Sequence, residues 1–152
     1  MPAPQHAGIL TDNIIDKLIS PRVPMQGLHL TADLYDCRCA GPLLTDSALL
    51  RDTLLSAVHA AGLTGVAQLF HQFAPGSGVT GVVLLAESHV AVHTWPEHGA
   101  VTLDVYVCNY SADNTTKAHA LFDTLAAAFA SAHREVHSLA RGKPLTTAGA
   151  QN

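Results

Sequence analysis

The segment "VTGVVLLAESHVAVHTW" (residues 79–95) reads as two strands, 79–86 and 88–95, meeting at a Glu-Ser-His triplet. Its first half is an apolar run and its second alternates, the pattern of strands buried on one or both faces. Glu87, Ser88 and His89 therefore sit where a sheet gains least from polar side chains. A second histidine, His93, follows within the second strand.

Outward from this pair the pattern stays legible. "GLHLTADLY" (27–35) alternates, with Leu28, Leu30, Ala32 and Leu34 on one face and His29, Thr31, Asp33 and Tyr35 on the other. Thr45 or Asp46 can cap a helix whose Leu49, Leu50, Leu54, Ala57, Val58 and Ala61 form an apolar stripe that Gly62 ends. "TGVAQLFHQF" (64–73) reads as a strand followed by a Pro75–Gly78 turn, and "AVTLDVYVC" (100–108) as another strand. Asp113 or Asn114 then caps a second helix, with Ala118, Leu121, Phe122, Leu125, Ala128, Phe129 and Ala132 inward, and "REVHSLAR" (134–141) closes as a strand. The order β-α-β-β-β-β-α-β predicts an α+β two-layer sandwich: a mainly antiparallel sheet, two helices on one face, the other face left for a partner. Residues 1–25, with several prolines, read as an N-terminal arm, 26–142 as the single domain and 143–152 as a tail. No internal repeat stands out.

The composition narrows the function classes. At 152 residues, 48% hydrophobic and 13% charged, the chain can bury one real core, which excludes disorder throughout. The mean hydropathy of +0.22 is high enough to suggest subunit burial. Lys and Arg total only 8 against a net charge of −4, so no basic stripe exists for nucleic acid. No apolar run reaches the length of a membrane span. No basic segment followed by an apolar core opens the chain, so no secretory signal is expected. Cys37, Cys39 and Cys108 cannot all pair within one chain, which favours a reducing, cytoplasmic setting.

Three chemistries compete for Ser88. A hydrolase nucleophile would want a G-x-S-x-G elbow, and the surroundings read Ala86-Glu87-Ser88-His89-Val90. A metal site would want paired C-x-x-C or H-E-x-x-H spacing; His89, His93 and His98 lack it and read better as hydrogen-bonded sheet or surface residues, so no metal is assigned. The third is attack of a serine hydroxyl on the preceding carbonyl carbon, turning an amide into an ester. A base then takes the serine Cα proton and elimination breaks the chain; hydrolysis of the dehydroalanine leaves a pyruvoyl group at the new N-terminus. Ser88, His93 and Thr80 can supply the hydroxyl, the base and a donor, a choice the residues alone leave open.

The run "GVTGVVLLAESHVAVHTWPEHGAVTLDVYVCN" resembles the processing segment of prokaryotic S-adenosylmethionine decarboxylase proenzymes, and looser similarity extends from about Leu28 to Gly142. The resemblance implies cleavage between Glu87 and Ser88, with Ser88 becoming the pyruvoyl cofactor and His93 removing the Cα proton. It implies that Thr80, where the family commonly has serine, assists processing, and that Cys108 reprotonates the substrate carbon after carbon dioxide leaves. Phe73 matches an aromatic residue that stacks on adenine, and Glu97 one that contacts the ribose. The pyruvoyl carbonyl would condense with the substrate amine as a Schiff base and accept the electrons of decarboxylation. The product would feed polyamine (spermidine) biosynthesis, and the enzyme would be a cytoplasmic homodimer of cleaved protomers acting on a small molecule. The chain departs from the family at His98-Gly99-Ala100, at Asn109-Tyr110 and in a longer "APGSG" loop. Relatives act on L-arginine or L-ornithine by the same chemistry, with Asp33, Asp36 or Glu97 as candidate partners for a basic side chain. A non-enzymatic partner of a paralogue is disfavoured by the presence of Ser88, His93 and Cys108 together.

Overall fold

The computed structural model describes residues 26–142, so the expected arm and tail lie outside the described residues. Six strands and three helices follow in the order β1 (Gly27–Cys37), α1 (Pro42–Thr45), α2 (Ser47–Ala60), β2 (Gly65–Gln72), β3 (Val79–Leu85), β4 (Ser88–Trp95), β5 (Ala100–Cys108), α3 (Thr115–Phe129) and β6 (Ser131–Arg141). A single 3₁₀ turn, Pro96–His98, joins β4 to β5. The strands form one antiparallel sheet in the order β2-β3-β4-β5-β1-β6, the expected α+β architecture.

Alternation decides which face is covered. Leu30, Ala32 and Leu34 of β1, Val90 and Val92 of β4, and Val101, Leu103, Val105 and Val107 of β5 are buried. They meet Leu50, Leu54 and Val58 of α2 and Leu121, Leu125 and Phe129 of α3 in one core. Burying such side chains is worth about 1.5–3 kcal/mol each, enough to fix register, because a one-residue slip would expose a whole strand's set.

Local chemistry sets the helix ends. Asp46, not Thr45, caps α2: its carboxylate accepts from the Ala48 and Leu49 amides at 2.8 and 3.1 Å. Gly62, at φ 70°, closes it in a Schellman arrangement, with Leu63 N donating to Val58 O and Gly62 N to His59 O. The helix stripes need correction at two positions. Leu49 is 42% exposed, because the buried side of α2 runs through Leu50, Leu54, Ala57 and Val58. Ala132 lies in β6 and is exposed, since Ala130 takes a left-handed φ of 47° and stops α3 after Phe129. The single-turn α1, begun by Pro42, was not expected as a helix.

The opposite sheet face is bare of helices. By register it presents His29, His71, His89, His93, His133 and His137, together with Asp33, Asp104, Glu135 and Arg141. Exposed Tyr35, Leu69, Leu84, Trp95 and Leu139 lie on the same face. Large apolar side chains gathered on one open face are what a covering partner would remove from water.

Candidate active site

At one end of the sheet, Leu85 pairs with Ser88, leaving Ala86 and Glu87 as a two-residue hairpin loop. Among the described non-glycine residues only Asp36 and Ala130 have positive φ, so this loop is neither of the primed turns that two-residue hairpins favour. Ala86 N donates to Thr64 O at 3.0 Å, and the Glu87 carboxylate accepts from the Ser111 amide at 3.2 Å. Hydrogen bonds from Ser111, its side chain before its backbone, hold the Glu87 carboxyl below its usual pKa. Ser88 Oγ accepts a hydrogen bond from the Cys108 backbone amide at 3.0 Å.

The loop after Cys108 is tied back by two asparagines, named in the sequence only as a cap candidate and a family departure. Asn114, buried, donates from Nδ2 to Cys108 O at 3.1 Å, and its amide donates to Asn109 Oδ1 at 2.9 Å. Asn114 is also the N-cap residue of α3, although the capping acceptor for Thr115 N is Asp113. Asn114 thus fixes both the Cys108 carbonyl and the Asn109 side chain that follows the cysteine.

At the other end of β4 a second group assembles. Thr80 and His93 are direct cross-strand partners, and Thr80 Oγ1 contacts His93 Nδ1. The Trp95 ring lies 6.0 Å from that of His93, centroid to centroid. Phe73 and Glu97 line a common groove of about 740 Å³ with Gly78 and Trp95. Phe73 is 65% exposed, its ring edge-on to His71 at 5.0 Å. Gly78 is obligatory here, since a Cβ would meet Thr94 O at 2.0 Å. Thr94, buried, accepts from Val79 N at 2.8 Å and donates to Leu44 O at 2.7 Å, which roots the groove in the core.

These two groups do not meet within one copy. Ser88 and His93 are five positions apart on one strand, roughly 17 Å at about 3.3 Å per residue. They also point to opposite faces, Ser88 with Val90 and Val92, His93 with the open side. The candidate residues therefore fall into two separate groups: Ser88 with Cys108, and Thr80 with His93, Phe73 and Glu97.

Beside the Ser88–Cys108 group lies a polar cluster on the open face. Arg141 donates to His29 Nδ1 at 3.2 Å, and a guanidinium can only donate. On the other side of the ring, His29 Nε2 faces Asp104 Oδ1 at 3.1 Å. The Tyr106 ring packs against His29, His89 and the Arg141 guanidinium. Burial, and then the neighbouring His29, push the His89 pKa below its ordinary 6.5, outweighing the pull of Asp104. A base whose folded pKa is lowered binds fewer protons folded than unfolded, so its contribution is full above pH 6.5 and is lost as pH falls through the folded value. Thermal melts between pH 8 and pH 5 should show stability declining below pH 6.5, and His89→Gln should flatten that decline.

Elsewhere, Cys37 and Cys39 are partly buried and free. Burial, followed by the proximity of Cys39 and Asp36, pushes the Cys37 thiol up to about 11, away from nucleophilic use. Among the described residues no three His, Cys, Asp or Glu side chains converge as a metal set, and no helix is long and apolar enough to cross a membrane.

Comparisons with known proteins bear on the family and the fold. The S-adenosylmethionine decarboxylase family model matches residues 28–142. An S-adenosylmethionine decarboxylase proenzyme of Prochlorococcus marinus is 48% identical over 84 residues, covering 55% of this chain and 65% of the relative. One from Hydrogenobaculum is 39% identical over 117 residues, covering 76% and 81%. Several of the most similar curated relatives are thus matched over less than two thirds of their length. The crystal structure of the adenosylmethionine decarboxylase from Aquifex aeolicus superposes with a TM-score of 0.68 at 32% identity, covering 84% of this chain and 98% of that one. This chain belongs to the S-adenosylmethionine decarboxylase family.

Proposed function

We propose that the chain cleaves itself between Glu87 and Ser88 and, as a pair of copies in the cytoplasm, decarboxylates S-adenosylmethionine for polyamine synthesis. The observation that carries this reading is the division of the family's residues into two half-sites at opposite ends of β4. A two-fold axis lying between two open sheet faces and crossing β4 near Ala91 would reverse one copy against the other. Each Ser88–Cys108 end would then oppose a Thr80–His93 end. Small Ala91 at the centre, between His89 and His93, permits the close approach of two sheets, about 10 Å apart in typical packings. The same packing would cover Leu69, Leu84 and Trp95.

The residues fit a pyruvoyl group: a serine is the first residue after a two-residue loop, its hydroxyl held by the Cys108 amide. In processing, Ser88 Oγ attacks the Glu87 carbonyl carbon and the Glu87–Ser88 C–N bond gives way to an ester. His93 of the second copy takes the Cα proton, the Cβ–Oγ bond breaks so that Glu87 leaves as a carboxylate, and water hydrolyses the resulting dehydroalanine to the pyruvoyl group with loss of ammonia. Thr80, against His93, orients the imidazole for that transfer. Once formed, the pyruvoyl group supplies an electron sink for the pair released with carbon dioxide. Cys108, on the open face at the end of β5, returns a proton to the substrate carbon. Phe73 and Glu97 hold the nucleoside in the groove, through ring stacking and carboxylate-to-ribose hydrogen bonds. The relatives named above are S-adenosylmethionine decarboxylases, which favours that substrate over arginine or ornithine.

Intact-mass analysis of purified protein should give two chains, 1–87 and a blocked chain beginning at position 88, with carbon dioxide released from S-adenosylmethionine. A single uncleaved chain with unmodified Ser88 would overturn this reading.

A further inference from the structure

The carboxamide of Gln72, the last residue of β2, is fully engaged. Its Oε1 accepts from the Ser47 amide in the first turn of α2 at 3.1 Å. Its Nε2 donates to Ala74 O at 3.2 Å and to Ser77 O at 2.7 Å, with Gly78 O at 3.5 Å. A helix amide can only donate and peptide carbonyls only accept, so the orientation of the amide is fixed by its partners. The side chain thus joins the start of a core helix to the whole 73–78 turn.

Apart from buried Gly78, which packs on the Thr94 backbone, the turn has few other ties to the body of the fold. Phe73 N donates to Gly78 O at 3.3 Å and Ser77 N to Ala74 O at 2.9 Å, while Phe73, Ala74, Pro75 and Gly76 are exposed. Pro75 and Gly76, the latter at φ 77°, sit at the two central positions of a β-turn closed by the Ser77–Ala74 bond, which shapes the tip without tying it to the body of the fold. The turn carries Phe73 and Gly78, two walls of the groove that also contains Glu97. By contrast, Thr80 and His93 are fixed by the β3–β4 ladder and Ser88 by β4 and β5, none of which depends on Gln72.

We propose that Gln72 is a positioning residue for substrate binding: by clamping the 73–78 turn to α2 it sets the Phe73 ring over the groove, and it governs affinity for S-adenosylmethionine without touching the reacting atoms. This rests on the reading of the Phe73–Glu97 groove as the nucleoside subsite. A structural residue of the core would affect processing, turnover and affinity together. A clamp on the groove alone separates them.

The isosteric Gln72→Glu is the sharpest test, because it turns a carboxylate toward three carbonyl oxygens while adding no bulk. The cleaved fraction is read by intact mass, melting temperature by calorimetry, and kcat and KM by carbon dioxide release from S-adenosylmethionine. The expected result is complete cleavage, kcat within about twofold of wild type and KM raised about tenfold or more. Gln72→Lys restores a donor to the turn and should bring KM most of the way back. A KM for cleaved Gln72→Glu within twofold of wild type overturns the proposal, as does a parallel loss of cleavage, kcat and affinity. If Gln72→Glu does not accumulate as folded protein, Gln72→Met takes its place: a raised KM with cleavage and kcat kept supports the clamp, and an unchanged KM overturns it. Wild-type protein that cleaves but releases no carbon dioxide from S-adenosylmethionine would instead remove the functional reading, and this proposal with it.

Discussion

Co-expressing Ser88→Ala and His93→Ala copies in equal amounts should restore about one quarter of wild-type decarboxylase activity, although each variant alone is inactive. The figure follows from symmetry. Random pairing makes half the dimers mixed, and each mixed dimer has one site with both residues intact and one with neither. The mixed dimer should also cleave: the His93→Ala chain keeps its serine and meets an intact histidine on its partner, so about half of those chains should appear as two fragments by mass. The expectation depends on the roughly 17 Å between Ser88 and His93 within one copy. If His93 served the serine of its own chain, mixing would restore nothing, and zero activity across all ratios would refute the shared site.

The second large effect concerns Cys108. Replacing it with alanine should leave cleavage at Ser88 intact while lowering decarboxylation by about 10²-fold or more, the usual scale for losing a general acid. The separation is expected because the group that holds Ser88 Oγ is the backbone amide of residue 108, which alanine retains. Asn114 still fixes the neighbouring carbonyl, so the strand end keeps its place. Mass analysis reports cleavage and carbon dioxide release reports turnover. Loss of both in proportion would make Cys108 a structural residue and not a proton donor.

Much of this fold is readable in sequence because alternation and capping are local. The bounds of β4 and β5 coincide with the apolar patterns at 88–95 and 100–108, and Asp46 has a capping side chain where the stripe of α2 begins. Leu49 and Ala132 show where the reading fails: stripe width depends on what a helix packs against, and a helix end depends on one left-handed alanine. The histidine-rich open face was invisible for a different reason. His29, His89 and His137 share a face only through the register of β1, β4, β5 and β6, which no local pattern encodes. The candidate site was named residue by residue through resemblance, and the comparisons bear on the family and leave those roles to experiment. Its division could have been read from the strand itself, since a side chain cannot serve another five positions along the same extended segment. Gln72 had no sequence signal, and Asn109 and Asn114 stood out only as a family departure and a cap candidate, because each acts through backbone groups brought near by the fold.

The strand order has a thermodynamic consequence. Cleavage after Glu87 would assign β1, β2 and β3 to one fragment and β4, β5 and β6 to the other. In the sheet those fragments interleave, since β1 lies between β5 and β6 while β3 adjoins β4. Three ladders, β3–β4, β5–β1 and β1–β6, would have to open before the pieces part. Cutting the hairpin thus leaves the native state whole and changes the order of the reaction that destroys it. Unfolding of an uncleaved pair of copies releases two chains, whereas unfolding of the cleaved pair releases four, so the melting temperature should rise more steeply with concentration for cleaved protein than for uncleaved Ser88→Ala.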